Sequence, residues 1–130
     1  TERDGVLFIN DSKGTNPART VQAIYAYDQP MVLLLGGRNK GSDFSELMEL
    51  IKKRVKQCII YGEAAGEIKR AADEAGYTSY IMANDFADAV ALAKNNASSG
   101  DVVMLSPACA SWDSFDNFEQ RGDKFKELVK

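Results

Sequence analysis

The strongest constraint on this chain is an alternation of two patterns. Five short, nearly continuous apolar runs at 6–10, 31–36, 57–62, 79–83 and 102–106 are separated by segments of helical period at 17–27, 43–54, 64–75 and 85–97, with a last helix at 123–130. Continuous Val, Ile, Leu and Tyr runs mark strands covered on both faces. Strand–helix alternation with short connections predicts a three-layer, doubly wound α/β fold with a mainly parallel sheet of five strands. The helix starts are explicit: Asn16 before Pro17 is an N-cap followed by proline at the first helical position, and Ser42 or Asp43 caps the next. Gly76 and the Ser98-Ser99-Gly100 turn stop the third and fourth helices. No repeat or linker divides the 130 residues, so 1–130 reads as a single domain able to bury its own core.

Composition narrows the chemistry. The chain has no histidine, which removes Ser-His-Asp and Cys-His nucleophilic sites and His-containing metal sites. Its two cysteines, Cys58 and Cys109, form no C-x-x-C pair. Cys58 sits in an apolar strand as a small core residue, and a reduced, intracellular protein is the natural expectation. A net charge of −3, with no basic cluster beyond Lys52-Lys53-Arg54, argues against nucleic-acid binding. No unbroken apolar run exceeds five residues, too short for a membrane span.

Ligands of such sheets bind outside the carboxyl ends of the strands. Three unusual motifs follow the first, second and fifth strands, whereas the connections after the third and fourth are short and bland. One site using all three requires those strands to be neighbours, which gives the order 1-5-2-3-4. The first motif, Asn10-Asp11-Ser12-Lys13-Gly14-Thr15-Asn16, enters a helix N-terminus and suits an anion. Asp11 would repel that anion and is suited instead to accept from hydroxyls or an amine. The same residues also make a well-capped βα turn, and spacing alone does not choose. The second, Gly36-Gly37-Arg38-Asn39-Lys40-Gly41, is a glycine-rich loop with two cations. It is neither a G-x-x-x-x-G-K-[ST] loop nor a G-x-G-x-x-G fingerprint, and by itself reads as a solvated turn.

The third motif runs from Leu105 to Gly122 without clean period, a length seldom spent on irregular structure without function. With no histidine to act as base, Cys109 and Ser111 are not nucleophiles, and the hydroxyls and N–H groups of 106–111 suit a carboxylate. Phe115 and Phe125 have the spacing of core residues, Glu119 and Arg121 read as a local ion pair or solvated charges, and Gly122 ends the turn before the last helix.

In this order and spacing the three motifs resemble the C-terminal domain of the Mur ligases, over about residues 5–130, and most of all the branch that adds D-glutamate. The resemblance implies a Rossmann-like, amino-acid-binding domain with the same strand order. Its parent would be a cytoplasmic, ATP-dependent acid–D-amino-acid ligase of peptidoglycan synthesis. That enzyme would join D-glutamate to UDP-N-acetylmuramoyl-L-alanine through an acyl phosphate. Thr15, Lys40 and Ser111 would hold the glutamate carboxylates, with Trp112 and Phe118 supplying backbone and shape. Trp112 stands where the family usually has a smaller leucine or phenylalanine, which changes the pocket wall. Asp11 would meet the nucleotide ribose, with Lys13 nearby. No residue here is implied to be catalytic or a metal ligand. ATP and magnesium would be held mostly by a central domain, and the full-length enzyme would be a monomer partnered with neither nucleic acid nor membrane. The isolated domain would be inactive.

Two other classes are weighed against this. A stand-alone Rossmann-like small-molecule or nucleotide-binding module explains the sheet but not the long third motif. A phosphoacceptor domain needs several acids at strand ends, where only Asp11 stands. Finally, Arg3-Asp4-Gly5 is a hairpin-turn signature with no readable strand before it. The resembling family has an antiparallel strand there, so the chain reads as a domain excised within a hairpin. The first strand, 6–10, with no internal charge or proline, is therefore expected to pair with another copy or to fray.

Overall fold

Among the described residues, six strands form one sheet. The computed structural model describes residues 2–11, 15–38, 41, 43–109 and 117–129, with Phe118 described by its backbone alone. The strands are β1 (Glu2–Arg3), β2 (Val6–Asn10), β3 (Met31–Gly36), β4 (Gln57–Tyr61), β5 (Tyr80–Met82) and β6 (Val102–Ala108). The helices are α1 (Pro17–Tyr25), α2 (Ser45–Arg54), α3 (Ala65–Ala75), α4 (Phe86–Asn96) and α5 (Phe118–Leu128). The order across the sheet is β1-β2-β6-β3-β4-β5, and all pairings are parallel except β1 with β2. The five parallel strands lie in the expected order, with β6 inserted between β2 and β3.

The two faces of the sheet explain the continuous apolar runs. Every residue of β3 and β6 is buried, because alternate side chains meet helices on opposite sides. Met31, Leu33, Leu35, Cys58, Ile60 and Met104 pack under Ile24 of α1, Leu47, Met48 and Ile51 of α2, and Ile68 and Ala72 of α3. Val32, Leu34, Ile59, Val103 and Leu105 pack under Phe86, Ala89, Val90 and Ala93 of α4 and Phe125 of α5. At the amino ends of the strands, Lys56 Nζ donates to buried Asp101 Oδ2 at 2.6 Å, and the Ser98 N–H donates to the same oxygen at 2.8 Å. That brace ties the start of β4 to the start of β6.

Three expectations are corrected. Glu2 and Arg3 do form a strand, pairing antiparallel with Leu7 and Val6, so the sheet has six strands and the start of β2 is shielded by the chain itself. The Asp4-Gly5 turn between them has φ of 53° and 80°, the primed geometry that matches strand twist. Gly5 is further required because a Cβ there would run into the Ser99 side chain, and its carbonyl accepts the Gly100 N–H at 2.8 Å. Second, α2 begins at Ser45 rather than at 43. The Asp43 carboxylate accepts from Ser45 N at 2.8 Å and Ser45 Oγ at 2.6 Å, and these hydrogen bonds hold its carboxyl below the usual range. Third, α5 begins at Phe118, five residues before the expected start at 123, with the Asn117 side chain accepting from Gln120 N at 2.9 Å as its N-cap. Gly122 lies inside this helix, not before it.

Gly36 allows β3 to lie close against β4, since a Cβ there would meet the Tyr61 carbonyl oxygen and ring. Backbone cannot yield as a flexible side chain would. Gly36→Ala is expected to destabilise the fold by about 1–3 kcal/mol, read as a lowered urea midpoint with unchanged slope.

Candidate functional site

The carboxyl ends of β2, β6 and β3 lie side by side, so the three strands that the motifs follow end together at one end of the sheet. The end of β6 is irregular for a reason visible in its residues. Leu34 pairs with Leu105 but Gly36 with Ala108, so β6 carries one extra residue, a β-bulge. Pro107 has no N–H to give an interior ladder, and a bulge is where such a proline is tolerated. Ala108 follows with φ of 64°, a left-handed conformation costing about 1–3 kcal/mol for a residue with a Cβ. Two side chains fix this strained end. Thr20 Oγ1 of α1 donates to the Ser106 carbonyl at 3.0 Å. Arg121 Nη1 of α5 donates to the Cys109 carbonyl at 3.0 Å, and Arg121 is only 1% exposed.

Asp11 stands at the centre of the β2 side. Its N–H donates to the Leu105 carbonyl at 2.7 Å, which fixes its backbone against β6. Ser106 Oγ donates to Asp11 Oδ2 at 2.7 Å, and Arg19 Nε lies 3.5 Å from Oδ1. Its side chain is 16% exposed and borders a groove of about 340 Å³ between β2 and α1. Ile9, Ala23 and Met104 make the groove apolar, while Arg19, Gln22 and Tyr27 add polar groups. A hydroxyl-donating ligand with an apolar portion suits this arrangement. Within the protein, the one hydroxyl that Asp11 is described as accepting from is that of Ser106.

On the β3 side, the Gly37 carbonyl accepts the Ala64 N–H at 2.8 Å, and Arg38 Nε donates to Glu63 Oε2 at 3.1 Å. Both side chains of that pair are about half exposed, so it contributes about 0–1 kcal/mol and serves mainly to orient. Of the site residues expected from sequence, Asp11 and half-buried Thr15 follow β2, and Phe118 opens α5 beyond β6. Lys13, Lys40, Ser111 and Trp112 lie outside the described residues, as does Phe115. Phe125 is core, as expected. Cys58 and Cys109 are both buried and form no disulfide, and burial pushes the Cys58 thiol up, away from reactivity.

Arg19 and Thr20 carry no signal in the sequence, and Ser106 and Arg121 take roles other than the expected ones. Arg121 is buried rather than solvated, because α5 starts early enough to place it under the end of β6. The signal was the Asn117-to-Gln120 spacing, an N-cap with a polar residue at the third helical position. Ser106 turns its hydroxyl inward to the Asp11 carboxylate rather than outward to a ligand. A serine before proline inside an apolar strand was its signal for a bulge. Among the described residues, no three His, Cys, Asp or Glu side chains converge to hold a metal, and no helix is long and apolar enough to cross a membrane.

A family model described as "Mur ligase, glutamate ligase domain" matches residues 1–109. The chain belongs to that family. A UDP-N-acetylmuramoylalanine–D-glutamate ligase from Desulfitobacterium hafniense (strain Y51) is 54% identical over 127 residues, covering 98% of this chain and 28% of that protein. Among solved structures, a domain of a Haemophilus ducreyi protein titled as a putative UDP-N-acetylmuramate:L-alanyl-gamma-D-glutamyl-medo-diaminopimelate ligase superposes with a TM-score of 0.61 at 16% identity, covering 96% of this chain and 93% of that one. MurF ligase from Thermotoga maritima, in complex with ADP, gives 0.56 at 14% identity, covering 98% of this chain and 29% of that one. At these identities the structural likeness is one of fold. The chain spans just over a quarter of the length of the curated relative.

Replacing Arg121 separates a buried anchor from a solvated charge. Arg121→Met keeps the length and apolar stem but leaves the Cys109 carbonyl without that donor. It is expected to cost about 1–3 kcal/mol in urea unfolding, whereas a solvated arginine would change stability by within about 0.5 kcal/mol.

Proposed function

We propose that residues 1–130 are the C-terminal, amino-acid-binding domain of a cytoplasmic ATP-dependent ligase that adds D-glutamate to UDP-N-acetylmuramoyl-L-alanine. The observation that carries this reading is the adjacency of the carboxyl ends of β2, β6 and β3, the strands the three motifs follow, in a chain of the Mur ligase family. The name of the Desulfitobacterium relative, 54% identical, supports the D-glutamate branch.

In this reading Asp11 accepts hydrogen bonds from the nucleotide ribose hydroxyls, with Lys13 as the neighbouring cation. Half of that geometry is prepared: Asp11 already receives one hydroxyl and borders a groove wide enough for part of a nucleoside. Lys40, Thr15 and Ser111 anchor the two glutamate carboxylates, and Trp112 and Phe118 shape the wall. Anchored this way, the amino acid keeps its amine free to attack. ATP supplies the activation by phosphorylating the substrate's terminal carboxyl, and the amine then displaces phosphate to form the amide. The domain's contribution is positioning and charge complementarity. Magnesium and the phosphates belong to the rest of the enzyme, since this chain has no G-x-x-x-x-G-K-[ST] sequence. The full-length ligase works as a monomer, its other domains being the partners of this one.

Two outcomes test the assignment. The isolated chain should release no phosphate from ATP in the presence of UDP-N-acetylmuramoyl-L-alanine and D-glutamate; turnover by the pure domain would overturn the division of labour. In the full-length ligase, Lys40→Ala should weaken glutamate binding by about 2–4 kcal/mol, tens- to hundreds-fold in its KM, with far less effect on the KM for ATP. An unchanged glutamate KM would remove Lys40 from the site.

A further inference from the structure

We propose that Ser106, backed by Thr20, is a positioning residue that locks the Asp11 carboxylate in the orientation needed for a ribose diol. The inference rests on the assignment of Asp11 to the nucleotide and extends it to two residues that touch no ligand. Ser106 lies in the β6 bulge and is fully buried at 0% exposure. Its hydroxyl has one proton and two oxygens in reach: Asp11 Oδ2 at 2.7 Å and Thr20 Oγ1 at 3.2 Å. Thr20, also fully buried, commits its own proton to the Ser106 carbonyl at 3.0 Å. The Ser106 proton goes to the carboxylate, since a charged acceptor at shorter range forms the stronger bond.

The outcome is a closed brace across three elements. Asp11 is held to β6 through its backbone N–H and through Oδ2, and α1 holds the bulge through Thr20. With Oδ2 pinned, the carboxylate cannot rotate freely, and Oδ1 stays on the side of Arg19, which also lines the groove. A vicinal diol presents two hydroxyl donors in fixed relation, so it discriminates sharply between an oriented and a turning carboxylate. Without the Ser106 proton, Oδ2 loses its buried donor, and the Arg19 guanidinium is left to set the orientation. The bulge places Ser106 here, so the strain at Ala108 and the proline at 107 serve this contact as well.

The test uses the full-length ligase carrying this domain. Ser106→Ala should raise the KM for ATP about 5- to 20-fold, leave the KM for D-glutamate within about twofold, and lower the preference for ATP over 2′-deoxy-ATP toward that of Asp11→Ala. Because Ser106 acts through Asp11, the double variant should be no worse for ATP than Asp11→Ala alone. Thr20→Val should shift the ATP KM in the same direction while Thr20→Ser stays close to the parent, and this pair decides the matter if Ser106→Ala does not fold. An unchanged ATP KM in Ser106→Ala beside a raised one in Asp11→Ala would overturn the positioning role, as would parallel rises in both substrate KM values or full additivity in the double variant. An unchanged ATP KM in Asp11→Ala would instead overturn the nucleotide assignment beneath it.

Discussion

Parallel pairing of β6 with β2 on one side and β3 on the other is the interaction on which the candidate site depends. Without it, the chain after β2 and the chain after β3 would have no shared edge. The pairing is sustained by burial: Val102, Val103 and Leu105 are each fully covered, and each such side chain contributes about 1.5–3 kcal/mol. It also joins residues far apart in sequence, Ser106 and Asp11 being separated by 95 positions. Closing so long a loop costs little more than closing one half its length, since the entropy grows only logarithmically. The cost falls on folding rate, because β2 and β3 must leave a gap that the last strand fills.

The end of that strand shows how a regular scaffold is made locally irregular. Proline at 107 is incompatible with an interior ladder, and the bulge resolves the conflict at the expense of a left-handed alanine. Such strain persists only where neighbouring contacts over-determine it. Here the contacts come from both faces of the sheet: Thr20 from the α1 side holds the Ser106 carbonyl, and Arg121 from the α5 side holds the Cys109 carbonyl. Burying a guanidinium costs desolvation, which its hydrogen bond to a buried carbonyl offsets. Its rigid fork is better understood as fixing the geometry where the chain leaves β6.

Periodic, apolar segments were legible in the sequence and loosely periodic ones were not. The runs at 6–10 and 31–36 match β2 and β3 residue for residue, because burial on both faces leaves continuous apolar sequence. The central insertion of β6 was also legible, since motif placement demanded it. α5 was misjudged because its buried face includes Arg121 and Gly122 beside Phe125 and Val129. A charged residue and a glycine on the core side erase the helical period that pattern reading relies on. β1 was missed because two polar residues at the chain start form a strand only through the Asp4-Gly5 turn that folds them back. Asp11 was legible as a hydroxyl acceptor, yet its donor was not: a contact across 95 positions has no local signature.

The groups assigned to the two ligands differ in how they are supported. Asp11 is fixed before any ligand arrives, by a backbone bond to β6, a hydroxyl from the bulge and a cation from α1. An acceptor prepared in this way loses little freedom on binding, so its hydrogen bonds act on orientation rather than on ordering the site. In the proposed ligase, the glutamate carboxylates are met by side chains from three separate connections, at Thr15, Lys40 and Ser111. No single connection can close that site, which makes it sensitive to the relative placement of β2, β3 and β6. In that proposal the double pairing that buries the sheet centre sets the spacing between the strand ends from which these connections leave, and a change far from the ligand that shifts β6 would be read first in glutamate binding.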